Sequence, residues 1–257
     1  MTVPETRVAP YRRVAPETRV APEMRVAPGT RLVIVRHGEA VSNAEDIVAG
    51  HEGCRGLTER GRRQVEALGD RLRRTGELDG AAALYSSVLR RAVETAEILR
   101  GALGDVPFES TCSLCERHPG EADGLTWAEC DERYGRLLPG DEPWKPLSPG
   151  GESWLDLLDR AEDALYRVAE AHPSELIVVS GHGGVIAASL VRFLGLPEHG
   201  SLTRLHPDNA SMTEWAFTGS RWWLVRFNDA AHLDPHPVHE PEGLRIPAPV
   251  WVARDAV

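Results

Sequence analysis

Hydrophobic positions beyond residue 31 fall into two recurring patterns, short continuous runs and runs with helical spacing. LVIV at 32–35 and LIVV at 176–179 are apolar and β-branched, which is typical of strands buried on both faces of a sheet. Residues 81–85 form a third strand candidate. Near the C-terminal end, 211–217 and 222–227 are joined by the turn residues TGSR and predict a β-hairpin.

Amphipathic helices are predicted between these strands. Thr58 followed by Glu59 marks the start of one helix, in which Val65, Leu68 and Leu72 share a face. Three more are predicted after Ser86 and Ser87 as capping residues, over 153–171, and over 184–194. The alternation predicts an α/β fold with a mostly parallel central sheet, helices on both of its faces, and a late β-hairpin.

The N-terminal residues follow a different pattern, because the hexapeptide VAPETR at 14–19 recurs as VAPEMR at 20–25 and VAPGTR at 26–31. A proline in every repeat blocks a regular helix, and one valine per repeat cannot build a core. We therefore expect a flexible Pro/Arg-rich tail over 1–30, a catalytic domain over 31–234 and a C-terminal extension over 235–257. The alternative is that this basic tail docks on an acidic surface of its own or a neighbouring subunit.

Composition excludes several classes of protein. Among 257 residues with a formal net charge of −10, Lys145 is the only lysine and lies in Trp-Lys-Pro, which fits neither a P-loop nor a Schiff-base enzyme. The acidic balance argues against nucleic-acid binding, and no apolar run is long enough for a membrane helix. We expect a cytoplasmic protein with no nucleic-acid or membrane partner, and a homodimer is possible.

Two groups of residues are candidates for metal or redox sites. Cys112 and Cys115 form a C-x-x-C, but no second pair with zinc-ribbon spacing follows, so we expect reduced thiols and keep zinc or redox chemistry as the alternative. His232, His236 and His239 lie among prolines, and we expect solvated loop histidines there rather than a metal site.

Two predicted strands end in the same way. The first runs into Arg36-His37-Gly38-Glu39 and the later one into Ser180-Gly181-His182-Gly183-Gly184. Because ligands of open α/β sheets bind at the carboxyl ends of the strands, the two histidines are expected to face one site, each followed by a glycine that admits an anion. Spacing alone is equally compatible with metal ligation. Arg36, and Arg91 in the first turn of a helix, favour phosphate because a guanidinium binds its oxygens and repels a dication.

These segments together resemble the histidine phosphatase superfamily, in the branch with cofactor-dependent phosphoglycerate mutases and their phosphatase relatives. The resemblance runs from about Arg31 to Leu233 and rests on seven segments in order. They are RHGE at 36–39, Asn43, LTERG at 57–61, SSVLRRAVETA at 86–96, LCERHPGEADG at 114–124, PGGES at 149–153 and SGHGG at 180–184.

The resemblance implies a phosphoglycerate mutase-like fold with a lid insertion at about 117–152, and it implies roles for individual residues. His37 is implied as the nucleophile that becomes phosphorylated, and Glu116 as the proton donor. The residues implied as the phosphate pocket are Arg36, Asn43, Arg91, His182 and Gly183. Neither a metal nor another cofactor is implied, because the arginines and His182 supply the positive charge.

The choice between phosphatase and mutase depends on the lid. Residues 117–152 contain eight acids and four bases, and the paired-arginine, proline-rich motif of mutases is missing. We therefore predict a phosphatase acting on a small organic monophosphate with a neutral or cationic remainder, and Trp127, Tyr134 and Trp144 are candidates for stacking on it. The alternatives are mutase-type phosphoryl transfer and a non-catalytic protein that binds partners through the tail.

Two positions depart from the family pattern. Ala40 stands where Thr or Ser usually follows RHGE, and Cys54 lies near a position where Asp is common. We expect these differences to affect the rim of the substrate site rather than catalysis.

Overall fold

The computed structural model describes residues 29–136, 142–198 and 205–233. The predicted tail, apart from residues 29–30, and the C-terminal extension lie outside these ranges, as do His236 and His239. Within them, no helix has the length and apolar character needed to cross a bilayer.

A six-stranded sheet lies at the centre of the described fold. Its strands are β1 (Thr30–Arg36), β2 (Ala83–Ser86), β3 (Phe108–Ser110), β4 (Leu176–Gly181), β5 (Met212–Phe217) and β6 (Trp222–Asp229). They are arranged in the order β3-β2-β4-β1-β5-β6. The first four in this order run parallel, and β5 and β6 pair antiparallel as the predicted hairpin.

Six α-helices accompany the described strands. They are α1 (Val41–Ala44), α2 (Glu59–Thr75), α3 (Arg90–Leu103), α4 (Trp127–Tyr134), α5 (Trp154–Ala171) and α6 (Gly183–Phe193). Alternate residues of β1 face opposite layers: Val33 and Val35 pack towards α2 and α3, while Leu32 and Ile34 pack towards α5 and α6. This two-layer core is the reason that β1 and β4 contain uninterrupted apolar runs, and it confirms the predicted α/β class.

Capping residues mark the starts of the two longest helices. Thr58 accepts a hydrogen bond from a first-turn amide of α2, as its sequence position predicts, and Ser153, which the prediction placed inside the helix over 153–171, does the same for α5. The prediction that Ser86 and Ser87 cap α3 was wrong, because α3 begins at Arg90 after the N-cap residue Leu89, and the Ser87 hydroxyl accepts from the Leu89 amide rather than from an amide of the helix. The short elements α1, β3 and α4 were not predicted, since each has too few residues to show a hydrophobic period.

The register of the two central strands places the functional segments side by side. Arg36 at the end of β1 is the register partner of Gly181 at the end of β4. The residues that follow, His37 and His182, are therefore neighbours at the carboxyl edge of the sheet. The His37 amide donates to the Gly181 carbonyl at 3.0 Å, which extends the strand pairing to His37.

Candidate active site

His37 is buried at the end of β1 with both ring nitrogens engaged. Its Nδ1 lies 2.7 Å from the Gly38 carbonyl oxygen, which can only accept, so Nδ1 carries the proton. Its Nε2 accepts a hydrogen bond from Nε of Arg91 at 3.1 Å and therefore presents a lone pair. Burial, followed by the charges of Arg91 and Arg36, holds the pKa of His37 well below its ordinary value. The imidazole is thus neutral, with its basic nitrogen fixed in position.

The loop before β5 supports His37 from the backbone side. The side-chain amide of Asn209 donates to the His37 carbonyl at 3.0 Å, and the Ala210 amide donates to the carbonyls of Arg36 and His37. Arg36 donates through Nη1 to the Pro207 carbonyl of the same loop. Asn209 is a positioning residue that sequence reasoning missed, because a DN pair in a loop gives no signal of its tertiary partner.

Gly38 has a structural role that differs from the predicted one. A Cβ at this position would lie 2.4 Å from the Gly61 carbonyl oxygen and 2.8 Å from the Val65 side chain. The glycine therefore allows the chain after β1 to pack against α2, whereas the prediction was that it admits an anion.

His182 lies beside His37 in a fully buried position. The ring centroids are 5.2 Å apart in an edge-on arrangement, and His182 is the N-cap residue of α6. Burial, then the charge of Arg91, keeps its pKa well below the ordinary value. Neither ring nitrogen has a hydrogen-bond partner within the described residues, nor has Nε of Arg36. Buried polar atoms of this kind are rare, and an anion at the helix N-terminus would accept from Nε of Arg36 and from the one ring N–H of a neutral His182.

Two arginines give this pocket its positive charge. Arg36 and Arg91 are both nearly inaccessible to solvent. Burial lowers the pKa of Arg36 to about 10, which leaves the guanidinium charged at neutral pH. Arg91, the second residue of α3, is held by the Ala49 carbonyl through Nη1 at 3.0 Å. Its backbone amide also lies 3.4 Å from Sγ of Cys54, so this departure from the family pattern lies directly behind the arginine.

Glu116 belongs to the opposite wall of the site. Its Oε2 accepts from the Gly184 amide at 2.9 Å, at the N-terminus of α6, and its Oε1 accepts from the Arg117 amide at 3.0 Å. A Cβ at Gly184 would lie 1.9 Å from Oε1, so the second glycine of SGHGG makes room for the carboxylate. A Cβ at Gly183 would lie 3.6 Å from Nε of Arg36, which is an ordinary contact distance.

A cavity of about 210 Å³ joins these residues. It is lined by Arg36, His37, Asn43, Arg91 and Glu116 among the residues implied by the resemblance. His182 and Gly183 are not in the lining, and His182 lies beneath the wall next to His37. Oδ1 of Asn43 accepts a hydrogen bond from the Ala40 amide at 2.9 Å, which leaves the side-chain NH2 group as the donor of this residue.

The residues that the lid contributes to the cavity do not reflect its acidic net charge. Arg117 and Trp127 line the cavity, but none of the acids between 117 and 152 that the structure describes does so. Asp123 accepts backbone hydrogen bonds from Gly50, Glu52 and Gly53, and Glu152 is paired with Arg160. Trp144 and Tyr134 are also absent from the lining, and the Tyr134 hydroxyl donates to Glu121. The net charge of the lid is therefore a poor guide to the charge of the cavity. Asp123 and Glu152 hold loops in place, while Arg117 lines the cavity.

Comparisons with known proteins agree with this architecture. Residues 32–230 match the model of the histidine phosphatase superfamily (branch 1). The chain is 32% identical over 207 residues to "Phosphoglycerate mutase-like protein 4" of Arabidopsis thaliana, covering 79% of this chain and 86% of that protein. It is also 32% identical over 208 residues to the "Metal-independent phosphoserine phosphatase" of the same plant, covering 79% and 83%.

A solved structure shows the same fold. The mycobacterial glucosyl-3-phosphoglycerate phosphatase in complex with VO3 superposes with a TM-score of 0.66 at 32% identity, covering 77% of this chain and 98% of that one.

Proposed function

Because the chain belongs to the histidine phosphatase superfamily (branch 1), we propose that it is a phosphatase that hydrolyses phosphate monoesters through a covalent phosphohistidine on His37. The observation that carries the proposal is the state of His37. Its Nδ1 proton is held by a carbonyl and its Nε2 lone pair faces Arg91 in a buried cationic pocket. A neutral imidazole in this arrangement is prepared to attack phosphorus.

Phosphate binding follows from the donors around Nε2. When a phosphoryl group binds over His37, its oxygen accepts the hydrogen bond that Nε of Arg91 otherwise donates to Nε2 of His37. The lone pair of Nε2 is then free to attack phosphorus. Arg36, His182 and the Asn43 amide supply further donors, and α6 adds the positive end of its dipole beside Gly183. Charge on the equatorial oxygens is thereby stabilised as the bond to the leaving oxygen breaks.

The chemistry takes place in two balanced steps. First, Nε2 of His37 forms a bond to phosphorus, the P–O bond to the alcohol breaks, and the acid form of Glu116 gives its proton to the departing oxygen. Second, the Glu116 carboxylate takes a proton from water, the water oxygen bonds to phosphorus, and the P–N bond breaks. Free phosphate leaves and both side chains return to their initial states.

No metal is assigned to these steps because the phosphate site has the wrong ligands for one. A hard dication needs several oxygen ligands, whereas the described lining offers three arginines, with Glu116 as its one carboxylate. The guanidinium groups already carry the charge that a metal would supply.

The substrate we propose is a small organic monophosphate. A cavity of about 210 Å³ is smaller than the sites of drug-sized ligands. Arg117 on its wall favours a remainder with hydroxyl or carboxylate oxygens. The proposal therefore keeps the expected neutral remainder, adds an anionic one and drops the cationic one. Phosphoserine and glucosyl-3-phosphoglycerate, the compounds in the names of two relatives, both contain a carboxylate.

The test is phosphate release from a panel of esters combined with trapping of the intermediate. The panel contains phosphoserine, 3-phosphoglycerate, sugar monophosphates and nucleoside monophosphates. We expect an acid-labile phosphoryl group on His37 and a loss of activity of at least about 10³-fold in His37→Ala. Arg117→Gln is expected to raise KM for the carboxylate-containing esters more than for the neutral sugars. A His37→Ala protein with the parent rate would disprove the mechanism, and mutase turnover above phosphate release on 3-phosphoglycerate would assign the alternative activity.

A further inference from the structure

Two cysteines and two histidines meet next to the segment that contains Glu116. One candidate ligand atom from each of His51, Cys112, Cys115 and His118 lies within 4.8 Å of all the others. Sγ of Cys112 is 3.1 Å from Sγ of Cys115, 3.5 Å from Nε2 of His51 and 3.4 Å from Nε2 of His118. Tetrahedral zinc with Zn–S of about 2.3 Å and Zn–N of about 2.0 Å separates its ligand atoms by about 3.3–3.8 Å. The two sulfur–nitrogen distances lie within this range, and the two sulfur atoms are closer together than in a zinc-bound pair. We propose that these four residues form a structural zinc site.

The donor set favours zinc over other ions. Two thiolates and two imidazoles in a tetrahedral arrangement suit a borderline-soft dication, and four protein ligands leave no open position, as in structural sites. Two thiolate charges balance the charge of the ion, so the complete site is neutral. Neutrality matters because Cys115 is fully buried, and an isolated thiolate there would be costly.

The surroundings of His118 are those of a metal ligand. While its Nε2 faces the sulfur of Cys112, its Nδ1 lies 3.5 Å from Oε1 of Glu152. A carboxylate behind the second ring nitrogen orients the imidazole and raises its basicity towards a metal. Glu152 is itself fixed by Arg160, with N···O distances of 2.7 Å.

The cysteine loop is supported in the same way. Nη1 of Arg160 donates to the carbonyls of Ser113 and Cys115 at 3.0 and 2.9 Å. The Ser87 hydroxyl donates towards Sγ of Cys115 at 3.4 Å, as a ligand thiolate requires. A Cys112–Cys115 disulfide would not involve the two nearby imidazoles, whereas a zinc ion would bind all four side chains.

The site also has a consequence for the proposed function, on which this part of the inference rests. Glu116 lies between the ligands Cys115 and His118, so an ion that joins these two residues fixes the backbone on both sides of the proton donor. Zinc here is a positioning element. It takes no part in the transfer of phosphate.

Metal analysis of the full-length protein tests the site without reference to activity. Protein expressed with added zinc and purified with a reductant and no chelator is expected to contain equimolar zinc by mass spectrometry of the elements. Cys112→Ser and His118→Asn are expected to be strongly depleted. Cys54→Ser is the matched control, because this cysteine lies outside the cluster, and it should keep the parent zinc content.

A second measurement avoids dependence on the folding of the variants. After removal of zinc from the parent protein, added Co2+ is expected to produce thiolate-to-cobalt charge transfer and the visible bands of tetrahedral cobalt, which zinc then abolishes. Absence of zinc together with absence of these bands overturns the proposal. So does a Cys112–Cys115 disulfide in freshly isolated protein, or unchanged zinc in Cys112→Ser.

The catalytic consequence has its own readout. Zinc removal is expected to lower kcat for an alkyl phosphate more than for p-nitrophenyl phosphate, because the phenolate leaves without a proton from Glu116. Equal losses on both esters would refute the positioning role. The zinc content remains a valid test of the site even if phosphohistidine is never trapped, so the two proposals fail separately.

Discussion

Replacing Gly184 with alanine tests whether the helix N-terminus positions Glu116 for proton donation. The added Cβ would lie 1.9 Å from Oε1 of Glu116 and 3.0 Å from a methyl carbon of Leu157, which packs behind it. The carboxylate must therefore move and give up the 2.9 Å hydrogen bond from the Gly184 amide. Folding is expected to persist because Glu116 is a side chain at a cavity wall and can swing into it.

The magnitude follows from the role of the displaced group. A positioned general acid contributes about 10²–10⁴-fold, which is about 3–5 kcal/mol of transition-state stabilisation. Since Glu116 is displaced rather than removed, we expect kcat for an alkyl phosphate to fall by about 10²-fold, near the lower limit. For p-nitrophenyl phosphate we expect a loss below about 5-fold, because this leaving group needs little protonation.

The assay compares steady-state phosphate release from both esters for the parent, Gly184→Ala, Glu116→Gln and the double variant. The double variant should be no slower than Glu116→Gln alone, because both changes remove one interaction. Gly101→Ala is the matched control, since a Cβ there meets nothing within 4 Å, and it should keep full activity. Equal losses on the two esters, or additive losses in the double variant, would refute the reasoning.

Three further predictions concern protonation, positioning and stability. The pKa values of His37 and His182 are lowered on folding, so the unfolded chain binds more protons, and Tm is expected to fall as pH drops from about 7 to about 5.5; a constant Tm would contradict this. Asn209→Ala removes a hydrogen bond to the His37 carbonyl worth about 1 kcal/mol and should lower kcat about 5-fold with little change in KM, while a KM effect alone would exclude positioning. Arg71→Met breaks the ion pair between Arg71 and Asp229, whose N···O distance is 2.7 Å, and should lower the free energy of unfolding by about 1–3 kcal/mol in urea titrations near pH 7. The hydrogen bond from Arg71 holds the pKa of Asp229 below its ordinary value, so the loss should become smaller below about pH 4, where Asp229 of the unfolded chain binds protons. A loss that does not change with pH would argue against the ion pair.

Local features of the chain predicted the class of the fold, its central strands and its long helices. The apolar runs at 32–35 and 176–179 predict strands buried on both faces, and β1 and β4 are the two central strands that contain them. Thr58 predicts the start of α2, because a capping hydroxyl acts on amides within its own turn, and the amphipathic pattern of 153–171 predicts α5. The two strand-end histidines predict a site at the carboxyl edge, and parallel register places them side by side.

Only the tertiary structure decided where the charges and the proposed zinc ligands lie. Net lid charge suggested an acidic rim, yet none of the described acids of the lid lines the cavity, whereas Arg117 does. Asp123 instead binds backbone amides, and Glu152 binds Arg160. The sequence shows no second ligand pair for the C-x-x-C motif, because His51 comes from a distant loop. His118 is three residues after Cys115, and only the folded chain places its ring beside the two sulfur atoms. The physical reason is common to both: capping and hydrophobic periodicity act between near neighbours, whereas a binding site depends on through-space distances between side chains far apart in the chain.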